Sequence, residues 1–345
     1  MKARANSTLI EAGNSHPVVI EGVEVPVIFK KLPIGDIVLD PENPRIQHAV
    51  RQKFQSLKVK HEDLLSLIYD QPGVSDLMAA IRDNGGLNEP ILVRPDGRVI
   101  EGNCRAVSFL KLNKAKPNEQ NWKTIPAWVV PSITERQVLI LQGTQHVAGK
   151  NKWRAYEKVG HLYTMHKKLG MTPKEIAKSL GLGRGTSVEQ DLLAYETMTE
   201  QLLPKMKGGN DLEKWSYMQE FYKSKGLVEY RKKPEKVEEF VSMVAEGRFT
   251  KGEQVRKFAQ VLQVPAAVRA LKKKDMSVAL VEASKVDPTV NSTLMRQLQK
   301  ATNVLKKMPA KDLQALLHEE SSRTIFSQLV GVVQDAARAA KVKVG

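Results

Sequence analysis

An α+β N-terminal domain, followed by an all-α region with a helix-turn-helix and a C-terminal helical bundle, is the architecture this sequence predicts. Three observations predict it. Runs of β-branched residues at strand spacing are confined to residues 17–130. Helical periodicity alone continues from about residue 150 to the end. One stretch, 172–198, carries the caps and spacing of two helices meeting at a tight turn. At 345 residues and 41% hydrophobic content, the chain is long enough for two or three cores and far from the composition of a disordered one.

The elements follow in order. Residues 17–39 cluster Val and Ile in one or two strands that end at the turn-rich "DPENPR". "RQKFQSLKVKHEDLLSLIYDQPG" reads as a single helix closed by Pro72 and Gly73. "VSDLMAAIRDNGG" is a second, with Leu77 and Ile81 on one stripe and Gly85–Gly86 as its stop. "PILVRP" and "RVIEG" form a hairpin around Asp96–Gly97, a pair that suits a tight turn. A helix opens at "NCRAVSFLKL", a strand follows at "IPAWVV", and "TERQVLILQGTQ" returns to helix. Beyond lie amphipathic segments near 211–225, 233–246, 251–261, 265–285 and 290–341, broken by "KGGN", "RKKP", "EGRFTKG", "VDP" and "KMPAKD". The division is a flexible N-terminus (1–20), an α+β domain (21–145), a helix-turn-helix domain (146–205) and a basic helical C-terminal domain (206–345).

No run of eighteen apolar residues and no secretory leader pattern is present, so a cytoplasmic location and no membrane partner are expected. The single cysteine excludes an internal disulfide framework and any multi-cysteine metal cluster. The net charge is +16, and residues 201–345 hold 27 Lys and Arg against 16 Asp and Glu, so most of the surplus is C-terminal. Polyanions release counterions to such surfaces, which puts nucleic acid first among partners.

In "NGGLNEPILVRPDGRVIEGNCRA" a strand delivers Gly102 to a helix start, where free N–H groups and the helix dipole converge and attract anions. Arg105 adds a planar guanidinium suited to phosphate, and Arg94 on the preceding strand a second. The same spacing equally allows Arg105 to pair with Glu101. In "TPKEIAKSLGLGRGTSVEQDLLAYETM", Thr172 and Glu175 form a capping box, Ile176, Ala177 and Leu180 a buried face, and Gly181 a stop before a second helix. Lys174, Arg184, Thr186, Ser187, Glu189 and Gln190 are the candidates for DNA contact, against the alternative of a helical hairpin inside a bundle. A third segment, "GTQHVAGKNKWRAYEKV", mixes His146, Lys150, Lys152, Trp153, Arg154 and Tyr156, a composition open to base contact or to ordinary packing.

The serial order of these three segments resembles the ParB family of partition proteins within the ParB/sulfiredoxin fold. "LPIGDIVLDPENPRI" is similar to that family's opening strand and Asn-Pro-Arg turn, and "VIEGNCRA" to its Gly-Glu-Arg-Arg box, with Asn103 and Cys104 in place of the glutamate and first arginine. "GTQHVAGKNKWRAYEKV" looks like a divergent third box without the usual Glu-Asn pair. The resemblance spans about residues 30–200. It implies a nucleoside triphosphate, CTP or ATP with Mg²⁺, held by Asn88, Glu89, Pro90, Arg94, Gly102, Asn103, Arg105, Gln145 and His146. It also implies a homodimer that closes on DNA. Sulfiredoxin's reactive cysteine directly follows the glycine. Here Cys104 stands one place later, a rotation of about 100°, and reads as a packed position.

The function expected is therefore a ParB-like DNA-binding regulator or partition protein with a nucleotide-binding N-terminal domain. A ParB-like nuclease or NTP-using phosphotransferase, including a slow CTPase-like Mg²⁺-dependent NTPase, is the enzymatic alternative, with Glu101 and Glu89 as candidate catalytic carboxylates. A third alternative is a degenerate interaction module. No metal ligand is singled out.

Overall fold

Strand alternation decides how the central sheet is covered. The computed structural model describes residues 17–54, 58–148, 153–206 and 211–341; residues 1–16 of the expected flexible N-terminus, and Lys150 and Lys152 of the third segment, lie outside them. Among the described residues six strands form: β1 (Val18–Ile20), β2 (Val23–Val25), β3 (Ile28–Pro33), β4 (Ile91–Val93), β5 (Val99–Glu101) and β6 (Thr124–Val129). β1 and β2 make a small antiparallel hairpin, and the others form a mixed sheet in the order β3-β6-β4-β5. β3 runs antiparallel to β6, with Ile28 opposite Val129, β4 runs parallel to β6, and β4 and β5 are antiparallel.

On one face, Ile91, Val93, Val99, Ile125 and Ala127 point into a core with Ile46, Val50, Ile68, Phe109 and Trp122. Helices α1 (Gln47–Phe54), α2 (His61–Tyr69), α3 (Val74–Asp83) and α4 (Asn103–Ala115) cover it. The neighbours in sequence, Leu92 and Ile100, point the other way into a second core. A strand buried on both faces reads as a continuous apolar run, as "ILV" does.

The second core is built by α5 (Glu135–Gly143), α6 (Ala155–Leu169), α7 (Pro173–Leu180) and α8 (Gly185–Thr197). It joins Ile20 and Val25 of the N-terminal hairpin, and Val27 just after it, to Leu139, Leu162, Ile176, Leu180, Val188 and Leu192. Glu21 at the hairpin tip fixes the attachment: Arg136 of α5 donates to both its carboxylate oxygens at 3.1 and 2.9 Å, and Ser179 of α7 donates to Oε1 at 2.9 Å. The helix pair α7–α8 therefore shares one apolar core with the sheet. After α8 come α9 (Trp215–Lys223), α10 (Val228–Arg231) and α11 (Pro234–Ala245), with Phe221 stacked on Phe240 at 4.0 Å between ring centroids.

The chain divides into two compact units between Ala245 and Glu246. In the second, α12 (Gly252–Val261), α13 (Pro265–Lys273) and α14 (Met276–Val286) enclose Phe249, Val255, Phe258, Leu271, Met276 and Ala283. Helices α15 (Thr293–Lys306), α16 (Ala310–His318) and α17 (Glu320–Ala339) bury no residue. Leu294, Leu298, Val304 and Leu305 of α15, and Ile325, Leu329, Val332 and Val333 of α17, are all exposed.

Two expected helices prove composite, and a third segment breaks once more than expected. The stretch ending at Pro72–Gly73 is two helices, α1 and α2, because Lys60 is extended and starts a new one. The 265–285 segment breaks where Asp275 caps α14, accepting from the Val278 N–H at 3.0 Å. The 290–341 segment breaks at Pro309, within the expected "KMPAKD" interruption, and once more at the extended Glu319.

Candidate functional site

A cleft of about 1120 Å³ opens where four separate chain segments meet. Asn43, Pro44 and Arg45 supply one wall, and α3 and the following loop, down to Asn88 and Glu89, a second. Glu101 to Arg105, at the β5–α4 junction, form the floor, and Gln142, His146 and Trp153 close the back.

Gly102 makes the junction possible. Its φ is +94°, and a Cβ there would stand 2.7 Å from Ile91 Cγ2 and 3.1 Å from Arg105 Nε. Beyond it the first turn of α4 leaves the N–H groups of Asn103, Cys104 and Arg105 without helical acceptors, while the Ala106 N–H already bonds to Gly102 O at 2.9 Å. The side-chain oxygen of Asn103 is buried and has no hydrogen-bond partner, an orphan acceptor of the kind a folded protein seldom leaves unexplained.

Arg105 is not a free guanidinium. Nη1 donates to the Glu89 carbonyl oxygen and to Glu89 Oε2, both at 3.0 Å, and Nη2 donates to Glu101 Oε2. His146 Nε2 lies 3.9 Å from the other Glu101 oxygen and its ring stacks on Trp153. The charged residues lining the cleft are Arg45 and Arg105 against Asp83, Glu89 and Glu101, which leaves a formal charge of −1 with His146 neutral.

Cys104 is half-buried, with Arg45 Nη1 4.0 Å from its sulfur. Burial raises its thiol pKa above the ordinary value, only partly offset by Arg45, which suppresses the thiolate that nucleophilic chemistry needs. This agrees with a packed position. Across the same arginine, Glu157 of α6 is buried and held protonated to higher pH than usual by desolvation, while its Oε2 accepts the Arg154 N–H at 2.8 Å.

Of the residues the sequence singles out for nucleotide, Asn88, Glu89, Gly102, Asn103, Arg105 and His146 line the cleft, as does the candidate acid Glu101. Pro90, Arg94 and Gln145 do not. Arg94 follows β4 at the hairpin's turn, the opposite end from Gly102, and bonds to Glu135 at 2.6 Å. Gln145 is exposed, and the residue that reaches the cleft is Gln142, donating to Ile100 O at 2.9 Å. Gln142 and His146 stand four apart on one face, the normal helical register. Asn43, Arg45 and Trp153 also line the cleft; the Asn-Pro-Arg turn and the third segment were the signals for them.

The Mg²⁺ implied by resemblance can be tested against these groups. Such an ion takes one or two carboxylates beside substrate phosphates and keeps several waters. Glu89, Glu101 and Asn103 line one cleft, and with the buried orphan oxygen of Asn103 behind its surface they make a hard-oxygen donor set that fits. Among the described residues, no three His, Cys, Asp or Glu side chains gather to hold a metal by themselves.

The second candidate site is the α7–α8 pair. Thr172 Oγ1 accepts the Glu175 N–H at 3.2 Å and Glu175 Oε2 accepts the Thr172 N–H at 2.7 Å, so the expected capping box forms. Gly181, at φ +64°, ends α7, and residues 181–184 turn the chain. Gly185 then packs so tightly that a Cβ would stand 2.9 Å from Lys174 Cα. Ile176, Ala177, Leu180, Val188, Leu192 and Tyr195 are buried, whereas Lys174, Arg184, Thr186, Ser187 and Glu189 are exposed and Gln190 half-exposed.

No protein-family model matches the chain, and no curated protein matches it in sequence. Among solved structures it is similar to the C-terminally truncated chromosome-partitioning protein ParB from Caulobacter crescentus, complexed to the centromeric parS site. The identity is 15% and the TM-score 0.34, over 67% of this chain and 98% of that one. A likeness of that size decides nothing about function. Among the described residues, no helix is long and apolar enough to cross a membrane.

Proposed function

We propose that this chain is a ParB-like DNA-binding protein whose N-terminal cleft holds a nucleoside triphosphate, CTP or ATP, and which acts in partition- or transcription-type regulation. The observation that carries the reading is the cleft itself. It gathers the Asn-Pro-Arg turn, the Asn88–Glu89 loop, the Gly102–Arg105 box and His146, which lie far apart in sequence and are the segments in which the family resemblance resides. A helix N-terminus and two arginines suit the phosphates. DNA would lie on the exposed face of α7–α8, where Lys174 and Arg184 have no acidic partner among the described residues.

The geometry supports binding over turnover, because Glu89 and Glu101, the candidate catalytic carboxylates, are both engaged by Arg105. A homodimer belongs to the same reading. The uncovered apolar faces of α15 to α17 supply a surface on which a second copy would bury Leu298, Leu329 and their neighbours.

The test is fluorescence anisotropy on labelled duplex DNA from 50 to 200 mM salt, with and without nucleotide. Each phosphate contact contributes about 0.9 to the slope of log K against log salt. Lys174→Ala with Arg184→Ala should therefore flatten the slope by roughly 2. Absence of DNA binding at the lowest salt would remove the proposal.

A further inference from the structure

Arg105, the one arginine in the first turn of α4, is held by two carboxylates from two different segments: Glu89, in the loop before β4, and Glu101, at the end of β5. We infer that these two carboxylates gate Arg105, so that the cleft takes a polyphosphate only in company with a divalent cation. The inference rests on the nucleotide reading above and adds to it a mechanism of admission built from this chain's own residues.

Three observations carry it. The Arg105 side chain is only 15% exposed and Glu101 only 20%, so their pairing is shielded from solvent and competes directly with any incoming anion. The cleft as a whole is formally negative, with two arginines against three carboxylates, and so repels a bare polyphosphate although the helix start attracts one. The unpartnered buried oxygen of Asn103, at the same helix start, is a further acceptor that no protein donor satisfies and that a cation or its bound water would satisfy. Acceptors thus outnumber donors where the anion must bind. A divalent ion that draws Glu89 and Glu101 toward itself releases the guanidinium to phosphate, and each ligand favours the other by the same factor.

The experiment is isothermal titration calorimetry of the full chain with CTP, ATP and inorganic tripolyphosphate, each with Mg²⁺ or with EDTA, on wild type, Glu101→Gln, Glu89→Gln and Arg105→Ala. Glu89 is 83% exposed, so its variant reports on the gate even where Glu101→Gln perturbs packing. Wild type should bind at least about tenfold more tightly with Mg²⁺ than with EDTA, the equivalent of about 1.4 kcal/mol. Each Glu→Gln variant should bind more tightly than wild type in EDTA and lose most of the gain from Mg²⁺. Arg105→Ala should bind poorly in both. If both glutamine variants keep the wild-type ratio, the gate is wrong while the nucleotide reading stands. If no probe binds any variant in either buffer, the nucleotide reading falls and the gate with it.

Discussion

Gly102→Ala tests the turn on which the cleft is built. At φ +94° an alanine is strained by roughly 1–2 kcal/mol. Its methyl would also press on Ile91 Cγ2 at 2.7 Å, and Ile91 is completely buried in the sheet core. Overpacking of that kind costs about 1–3 kcal/mol. A total centred on about 3.5 kcal/mol, in a unit of this size, lowers the melting midpoint by roughly 7–14 °C. Gly181→Ala is the control, because its φ of +64° imposes conformational strain while nothing lies within 4 Å of the added methyl. That substitution should cost only about 1 kcal/mol, or roughly 2–4 °C. Thermal unfolding followed by circular dichroism compares the two. If Gly102→Ala melts no lower than Gly181→Ala, then Ile91 and Arg105 yield freely and the turn is not the rigid platform described.

Thr172→Ala removes the capping box of α7 and should cost about 0.5–2 kcal/mol in urea unfolding, whereas Thr172→Ser should retain most of it. His161 supplies a pH dependence: it is buried, its Nε2–H donates to Leu139 O at 2.7 Å, and burial lowers its pKa from 6.5 to about 4. The unfolded chain therefore takes up a proton that the folded one refuses. Stability from this group is complete above pH 6.5 and declines as pH falls toward 4, by about 3 kcal/mol across the window. His161→Gln keeps a donor for Leu139 and does not titrate, so its melting midpoint should vary less between pH 6.5 and 4.5; parallel profiles would contradict the assignment.

Local chemistry made much of the fold legible. The Asp96–Gly97 turn, the stop at Gly85, the Thr172–Glu175 box and the Gly181 terminator each act within a few residues, and each forms as its sequence predicts. The composite helices were missed where the break is a cap, at Asp275, or a residue that merely becomes extended, at Lys60. The site was half legible. Gly102, Asn103 and Arg105 announce themselves through the dipole of one helix. Arg45 reaches Cys104 from 59 positions away, and the second partner of Arg105 comes from a loop, distances over which periodicity is silent. Gln145 stands beside His146 in sequence, but Gln142, one helical turn earlier, is the glutamine on the face that lines the cleft.

Gln142 and Gly143 are adjacent on α5, yet they serve different neighbours. The Gln142 side chain lines the cleft and bonds to β5, while Gly143 lies so close to α7 that a Cβ would stand 2.7 Å from Leu180. Between the pocket and the helix pair there is thus no linker, only one peptide unit with a close-packed contact on its far side. Packed interiors transmit displacement where a flexible tether would absorb it. A ligand that shifted Gln142 would press on α7 directly, and the pocket and the α7–α8 pair would then move as two ends of a single short lever.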